Sequence, residues 1–188
     1  MKLSKFLAVA ATLAASAASA QAPTKLVPAQ SEVQFITKQM GVPVDGRFRK
    51  FEAQLSLDPK KPEAGSVQFS IDMLSASLGV PEADSEMPKA IWFNAAKFPQ
   101  ATFQSSGIKG LGGGKFEVSG TLNIKGQTRD LSLPVQITQA NGNSTAVGSF
   151  VIKRLEFKIG EAEWTDPTVV ADDVTVKFKL LFTGLGAL

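Results

Sequence analysis

The stretch Ser66–Asp72 reads SVQFSID, and its apolar residues Val67, Phe69 and Ile71 stand at every second position. A period of two places such side chains on one face of a β-strand and the polar residues on the other. The same alternation recurs at Val33 and Phe35, at Phe116 and Val118, and at Val174, Val176 and Phe178. This repeated pattern predicts an all-β protein whose strands enclose one apolar interior.

Turn residues divide the chain into about eight main alternating runs. These runs cover residues 31–38, 44–57, 66–72, 101–105, 115–124, 131–137, 145–157 and 174–182. In the second run Phe48 and Phe51 lie three positions apart, and this shift of register predicts a β-bulge. Asn141-Gly142 is a hairpin turn signal. We therefore expect a single antiparallel eight-stranded barrel, closed so that no strand edge is exposed.

Residues 81–97 interrupt the strand pattern and predict a short helical insertion. Glu82, Asp84 and Glu86 are followed by Pro88 and then by the apolar run of residues 90–96, and acids before an apolar run with Pro at its front suit the start of a short helix. Trp92 and Phe93 would give this insertion an apolar side, and Phe98 follows directly after it. Two interpretations stay open for these aromatic residues: a lid over the mouth of a tunnel, or a helix that caps the barrel core.

The composition disfavours catalysis. The 188 residues include 13 Phe and 2 Trp but no Tyr, His or Cys. Without His the common Ser-His-acid triad and the usual zinc ligands are excluded, and without Cys so is thiolate chemistry. A Ser-Lys pair or a carboxylate pair remains formally available, but no spacing supports either. We expect a protein that is not an enzyme and that holds no metal.

The first twenty residues are typical of an export signal. Lys2 and Lys5 precede a short apolar run, and Ala18-Ser19-Ala20 fits the cleavage pattern. The run is too short to span a bilayer, which takes roughly 20 apolar residues. We expect residues 1–20 to be a signal peptide, residues 21–188 to be one periplasmic domain, and no membrane-spanning segment in the mature chain.

The charges do not indicate a nucleic-acid partner. The chain has 20 basic and 17 acidic residues, which gives a net charge of +3. The basic residues are interspersed with acids rather than clustered, as a nucleic-acid footprint would require. The sequence therefore predicts no binding of nucleic acid.

Four motifs resemble one known family. They are FITKQMGVPVDGRF at residues 35–48, FPQATF at 98–103, SGTLNIKGQT at 119–128 and GSFVIKRLEFKIG at 148–160. Together they are similar to the YceI-like family of periplasmic polyisoprenoid-binding, lipocalin-like proteins. The resemblance implies a barrel with an elongated apolar tunnel, a bound polyisoprenoid or quinone-like lipid, and a homodimer. Many family members carry His where this chain has Gln39.

Strand alternation gives a set of candidate ligand-binding residues on the inner face. They are Phe35, Phe48, Phe51, Phe69, Ile71, Phe103, Leu122, Ile124, Leu133, Phe150, Ile152, Val176 and Phe178, with Trp92, Phe93 and Phe98 from the insertion. An eight-stranded barrel can fill its own interior or hold one small ligand. Periodicity does not distinguish these two outcomes, so a lined tunnel and a solid core both remain open.

Arg154 is a further candidate. It shares parity with Phe150 and Ile152, so its side chain is expected to point inward near a strand end. An inward arginine could bind a phosphate or carbonyl headgroup through its planar set of donors. The alternative is an ion pair with Glu156 or Asp166, because buried charges are usually paired.

Three functional hypotheses follow from these observations. In the first, the protein binds or carries a long-chain isoprenoid or related amphiphilic lipid in the periplasm, without catalysis. In the second, a filled barrel acts as a stress-related interaction or structural protein. In the third, the barrel is an enzyme with an unusual base. The first agrees best with the abundance of Phe, since a Tyr hydroxyl inside a tunnel would need a hydrogen-bond partner.

Overall fold

The computed structural model describes residues 24–188, which form eleven β-strands and one α-helix. The strands are β1 (Lys25–Leu26), β2 (Glu32–Gln39), β3 (Val42–Phe48), β4 (Phe51–Ser56), β5 (Ser66–Asp72), β6 (Ala76–Ser77), β7 (Gln100–Gly112), β8 (Lys115–Ile124), β9 (Gln127–Ala140), β10 (Asn143–Lys153) and β11 (Asp173–Thr183). The α-helix is α1 (Pro81–Glu86). Short 3-10 helices cover Pro28–Gln30, Pro62–Ala64, Met73–Ser75, Arg154–Phe157 and Ala162–Thr165. The predicted signal peptide lies outside the described residues.

All strands belong to one antiparallel sheet. Its order is β4-β5-β7-β8-β9-β10-β11-β2-β3-β6, and β1 pairs with β11 beside this path. The predicted all-β antiparallel fold is confirmed, but the prediction of a closed eight-stranded barrel is wrong. Ten strands follow one another in a strongly curled half-barrel, and within residues 24–188 no ladder joins β4 to β6.

The difference from the prediction arises between Phe48 and Phe51. Residues 44–57 were expected to form one bent strand, but the chain breaks at Arg49-Lys50 into β3 and β4. β3 pairs with β2, whereas β4 pairs with β5 at the opposite end of the sheet. The three-residue spacing that predicts a bulge therefore marks a corner instead. The bulges lie in β7, between Ser105 and Gly107 and between Gly110 and Gly112.

Several predicted strand ends also shift. β7 and β9 are longer than expected, with 13 and 14 residues. β10 ends at Lys153, so Arg154 lies on the following 3-10 helix rather than on the strand. The hairpin turn at Asn141-Gly142 is confirmed, with φ of 52° and 76° at the two residues. Positive φ at both central residues is the signature of the hairpin turn that this dipeptide favours.

The helix of the insertion lies earlier than expected, before Pro88 rather than along the apolar run of residues 90–96. α1 has only six residues, and Pro88 follows it closely. Proline lacks the N–H that would continue the helical ladder, which accounts for the early end. Residues 88–93, including Trp92 and Phe93, then form turns.

The apolar side chains form two adjacent core clusters. One lies on the concave face of the sheet around Val33, Phe116 and Leu133. The other lies beneath the insertion around Phe35, Met73 and Phe93. Within the described residues, no helix combines the length and the apolar character needed to cross a membrane.

Candidate ligand-binding cavity

A cavity in the described part of the chain lies between the concave face of the sheet and two covering segments. It has a volume of about 460 Å³, and we call it the mouth cavity. Residues 83–93 and residues 159–170 supply its cover, and the sheet supplies its floor. Its lining is mostly apolar, with polar groups from Thr37, Gln39, Glu86, Arg154 and Glu163. A volume of this order lies within the range of small-molecule sites, which is about 300–1,000 Å³.

A second, smaller cavity of about 130 Å³ continues the hollow deeper under the sheet. We call it the inner cavity. Except for Thr102, every residue that lines it is apolar. The two cavities share five lining residues: Ile71, Ala101, Leu122, Phe150 and Val176. They are therefore two adjoining parts of one elongated apolar interior.

Most of the predicted candidate residues line this interior. Phe35, Phe48, Trp92, Phe93, Ile124, Ile152 and Arg154 line the mouth cavity. Phe69, Phe103, Leu133 and Phe178 line the inner cavity. Ile71, Leu122, Phe150 and Val176 line both. That these residues contact a ligand remains a prediction.

Phe51 and Phe98 do not line either cavity. Phe51 is buried on the inner face of β4, opposite Ile71, and its ring centroid lies 5.9 Å from that of Phe69. Phe98 packs against the hairpin turn at Gly126, where an added Cβ would lie 2.8 Å from the ring. The lid role considered for Phe98 remains a prediction.

Among the wall residues that were missed, three illustrate different reasons. Thr37 continues the inward alternation of Val33 and Phe35, so parity alone could have identified it. Ile91 and Trp164 both line the mouth cavity from turns or 3-10 structure, where no period applies. Trp164 also lies in the acidic segment of residues 161–173, which is typical of a solvated loop.

Two of the inner-face phenylalanines lie over glycines of neighbouring strands. Phe35 pairs with Gly46 across β2 and β3, and a Cβ at Gly46 would lie 2.1 Å from Phe35 Cζ. Phe178 pairs with Gly148 across β10 and β11 in the same way. Because glycine has no side chain, each ring can lie along the wall instead of standing in the interior. This arrangement helps to keep the interior hollow.

Arg154 has all five N–H donors bound to backbone carbonyls. Nε donates to Ala171, Nη1 to Ile159 and Gly160, and Nη2 to Trp164 and Val170, at 2.6–3.2 Å. Only 2% of the residue is exposed. The expected ion pair with Glu156 or Asp166 is absent among the described residues, and Glu156 binds Arg129 instead. Arg154 therefore holds the covering segment of residues 159–171 in place.

Burial also affects the ionisation of Arg154. Desolvation lowers the pKa of its guanidinium, and the nearby charge of Asp172 opposes this effect. Arginine nevertheless keeps its charge in proteins because its ordinary pKa is above about 12. The five carbonyl dipoles thus solvate a buried cation without a directly bound carboxylate.

Direct contacts join the two covering segments over the mouth cavity. The rings of Trp92 and Trp164 lie 5.4 Å apart between centroids. The carbonyl of Ile91 accepts hydrogen bonds from the N–H groups of Gly160 and Glu161, at 2.8 and 3.0 Å. The contact of the aromatic rings and these two bonds connect the insertion to the loop that Arg154 supports.

Known proteins are similar to this chain in sequence or in fold. The family model described as YceI-like domain matches residues 25–182. A UPF0312 protein of Azotobacter vinelandii is 37% identical over 84 residues, which are 45% of this chain and 44% of the relative. A UPF0312 protein of Vibrio cholerae is 31% identical over 113 residues, 60% of each chain. The chain thus spans only about half the length of these curated relatives.

Solved structures agree with the family match. BcnA of Burkholderia cenocepacia is 41% identical, with a TM-score of 0.81 over 84% of this chain and 99% of that one. A polyisoprenoid binding domain of Saccharophagus degradans, implicated in plant cell wall breakdown, is 21% identical, with a TM-score of 0.70. It covers 86% of this chain and 98% of its own, and at this identity it shows the fold alone. The chain belongs to the YceI-like family.

Proposed function

We propose that this protein binds or carries a long-chain isoprenoid, or a related amphiphilic lipid, in the periplasm. The observation that carries the proposal is the elongated apolar interior formed by the mouth cavity and the inner cavity. The Saccharophagus degradans domain that shares this fold is a polyisoprenoid binding domain, which supports the same ligand class.

The chemistry of the wall suits a branched hydrocarbon tail. Nearly all lining residues of the inner cavity are aliphatic or Phe, so a tail placed there meets almost no polar group. Burial of each CH2 contributes about 0.8 kcal/mol. A long tail can therefore bind tightly without polar contacts, and the polar end would stay in the mouth cavity.

Binding without turnover is the corresponding mechanism. The chain has no His and no Cys, and the polar groups of the mouth cavity do not form a nucleophile-base pair by hydrogen bonding. We propose sequestration or carriage, in which the contact between Trp92 and Trp164 opens to admit the ligand.

The direct test is to isolate the protein from a periplasmic extract and to measure its mass by native mass spectrometry. Binding of a lipid predicts a mass above that of the chain, and the extra mass should move into an organic extract. The denatured mass also tests whether cleavage occurs before Gln21. Absence of any bound lipid, together with no uptake of added phytol, would reject the proposal.

A matched pair of variants makes the test specific. Phe69→Asp places a charge on the inner cavity wall, whereas Gln68→Asp places it on the outer face of the same strand. The proposal expects loss of phytol uptake in the first variant alone, with circular dichroism confirming that both fold. Equal uptake by both would show that Phe69 does not line the space that takes up phytol. Sedimentation in the same preparations tests the homodimer expected from the family resemblance.

A further inference from the structure

Within residues 24–188, the lining of the mouth cavity offers no free cation to an anionic headgroup. Among its lining residues Arg154 is the only one with a positive charge. Its five N–H donors are already bound to five carbonyls of the described chain. A phosphate could use this guanidinium only by displacing carbonyls that would then be left buried without partners, which is costly.

The ionisable groups that remain in the mouth cavity are carboxylates. Glu86 lies on α1, where its Oε1 forms a salt bridge with Lys89, and Glu163 lies on the opposite covering segment. None of the salt bridges formed within residues 24–188 involves Glu163. A phosphate between these segments would lose water and face the carboxylate of Glu163, and both effects oppose binding.

Thr37 provides a neutral hydrogen-bonding group on the same wall. Its hydroxyl oxygen is buried and has no hydrogen-bond partner within the described chain. Gln39 lies two residues further along β2 on the same face, at the exposed end of the cavity. An unpaired buried hydroxyl costs about 1–3 kcal/mol. A ligand with a hydroxyl or carbonyl oxygen would supply the missing partner.

We infer that the mouth cavity selects isoprenoids with an uncharged oxygen-bearing end, an alcohol or a carbonyl, and rejects isoprenyl phosphates. Thr37 bonds the ligand oxygen, whereas a phosphate meets the carboxylate of Glu163 and an arginine, Arg154, whose donors are all used. This inference rests on the proposed function, because it assigns the polar end of the same ligand.

The test compares phytol, phytyl phosphate and phytane, which share one branched chain but differ in the polar end. Binding is followed through the fluorescence of Trp92 and Trp164, which both line the mouth cavity. We expect phytol to bind about fivefold more tightly than phytane, as one net hydrogen bond allows. Phytyl phosphate should bind at least about tenfold more weakly than phytol, since burying a charge without a partner costs this much or more.

Two variants at Thr37 separate hydrogen bonding from shape. Thr37→Val keeps the shape but removes the hydroxyl, so the advantage of phytol over phytane should disappear while phytane binding stays unchanged. Thr37→Ser keeps the hydroxyl and should retain the advantage. Gln39→Lys adds a free cation at the exposed end and should improve the binding of phytyl phosphate. Circular dichroism confirms the fold of each variant.

The outcomes distinguish this inference from the proposed function. If phytyl phosphate binds to the unaltered protein as tightly as phytol, the inference fails while lipid binding stands. The inference also fails if Thr37→Val leaves the advantage of phytol intact. If none of the three compounds binds, the proposed function and the inference fall together.

Discussion

The ring of Phe178 occupies the space above Gly148 on the neighbouring strand, where a Cβ would lie 2.3 Å from its Cζ. The ring therefore lies along the inner wall of the sheet rather than across the interior. Gly46 gives Phe35 the same space in the mouth cavity. These glycine positions let a chain rich in Phe enclose a hollow instead of a solid core.

Gly148→Ala should push the Phe178 ring into the inner cavity. We expect a loss of about 1–3 kcal/mol in the free energy of unfolding, as overpacking usually costs, and weaker binding of phytol. Chemical denaturation and ligand titration measure the two effects. Gly107→Ala is the control, because a Cβ at Gly107 meets no atom within 4 Å. Equal stability of the two variants would show that the ring does not depend on the glycine.

Ala101→Leu should narrow the junction between the two cavities. Ala101 is buried and lines both of them, so a larger side chain there separates the inner cavity from the mouth. We expect phytol affinity to fall about tenfold, a loss of about 1.4 kcal/mol, while the short prenol geraniol still binds. Titration with both alcohols tests this expectation. Ala140→Leu, at an exposed end of β9, is the control. If Ala101→Leu loses equal affinity for phytol and for geraniol, the interior is not connected as described.

Arg154→Lys should loosen the covering segment of residues 159–171. Lysine has three donors on one nitrogen, so it cannot bond all five carbonyls in the planar arrangement of arginine. We expect a loss of about 3 kcal/mol or more in the free energy of unfolding, since a buried network is broken. Faster hydrogen exchange should appear in the same segment.

The matched control for that change is Arg129→Lys. Arg129 binds Glu156 in an exposed ion pair, with 44% of its side chain accessible. Exposed pairs contribute about 0–1 kcal/mol, so this variant should lose little stability. If the two variants lose equal stability, the carbonyl contacts of Arg154 do not hold the segment.

Trp164→Ala should accelerate ligand release. The contact between Trp92 and Trp164 joins the two covering segments, and an aromatic pair is worth about 0.5–1.5 kcal/mol. We expect phytol to dissociate about fivefold faster, as measured by stopped-flow transfer to acceptor vesicles. Trp164→Phe keeps a ring in this position and should dissociate more slowly than the Ala variant. An unchanged release rate in Trp164→Ala would place the entry route elsewhere.

In the Asp84→Asn variant, the free energy of unfolding should change less as the pH is lowered. Hydrogen bonds from the Ser77 hydroxyl and the Leu78 N–H lower the pKa of Asp84 below its ordinary value of 3.8. A carboxyl group with a lowered pKa in the folded state stabilises the protein above the unfolded pKa, and this stabilisation is lost as the pH falls through the folded pKa.

The variant should therefore be less stable than the native chain at neutral pH, and the difference should shrink below about pH 4. Unfolding curves across this pH range measure the effect. Glu82→Gln on the same helix removes an equal charge from an exposed position and serves as the control. A difference between Asp84→Asn and the native chain that persists at low pH would contradict this account.

Strand alternation predicted the inner face of the sheet well because side-chain direction is a local property. Val33, Phe35 and Thr37 share one face of β2 whatever the rest of the chain does. Closure of the sheet is not a local property, because it depends on which strand pairs with β4 after the corner at Arg49-Lys50. The number of strands and the half-barrel shape therefore could not be read from periodicity.

The covering segments were harder to predict for the same reason. The carbonyls that bind Arg154 belong to residues 5 to 17 positions later in the chain. No sequence period marks such contacts, so an arginine with inward parity was expected to bind a headgroup or a carboxylate. Trp164 likewise reaches the mouth cavity from a 3-10 helix in an acidic stretch.

The most direct test of a hollow, lipid-binding interior is a crystal structure of the protein with phytol. The account predicts continuous density for the chain of the lipid, running from Thr37 past Leu122 to the wall formed by Phe69 and Phe178. If side chains of the protein itself fill this space, both in the phytol crystals and in crystals without added lipid, the central claim is contradicted.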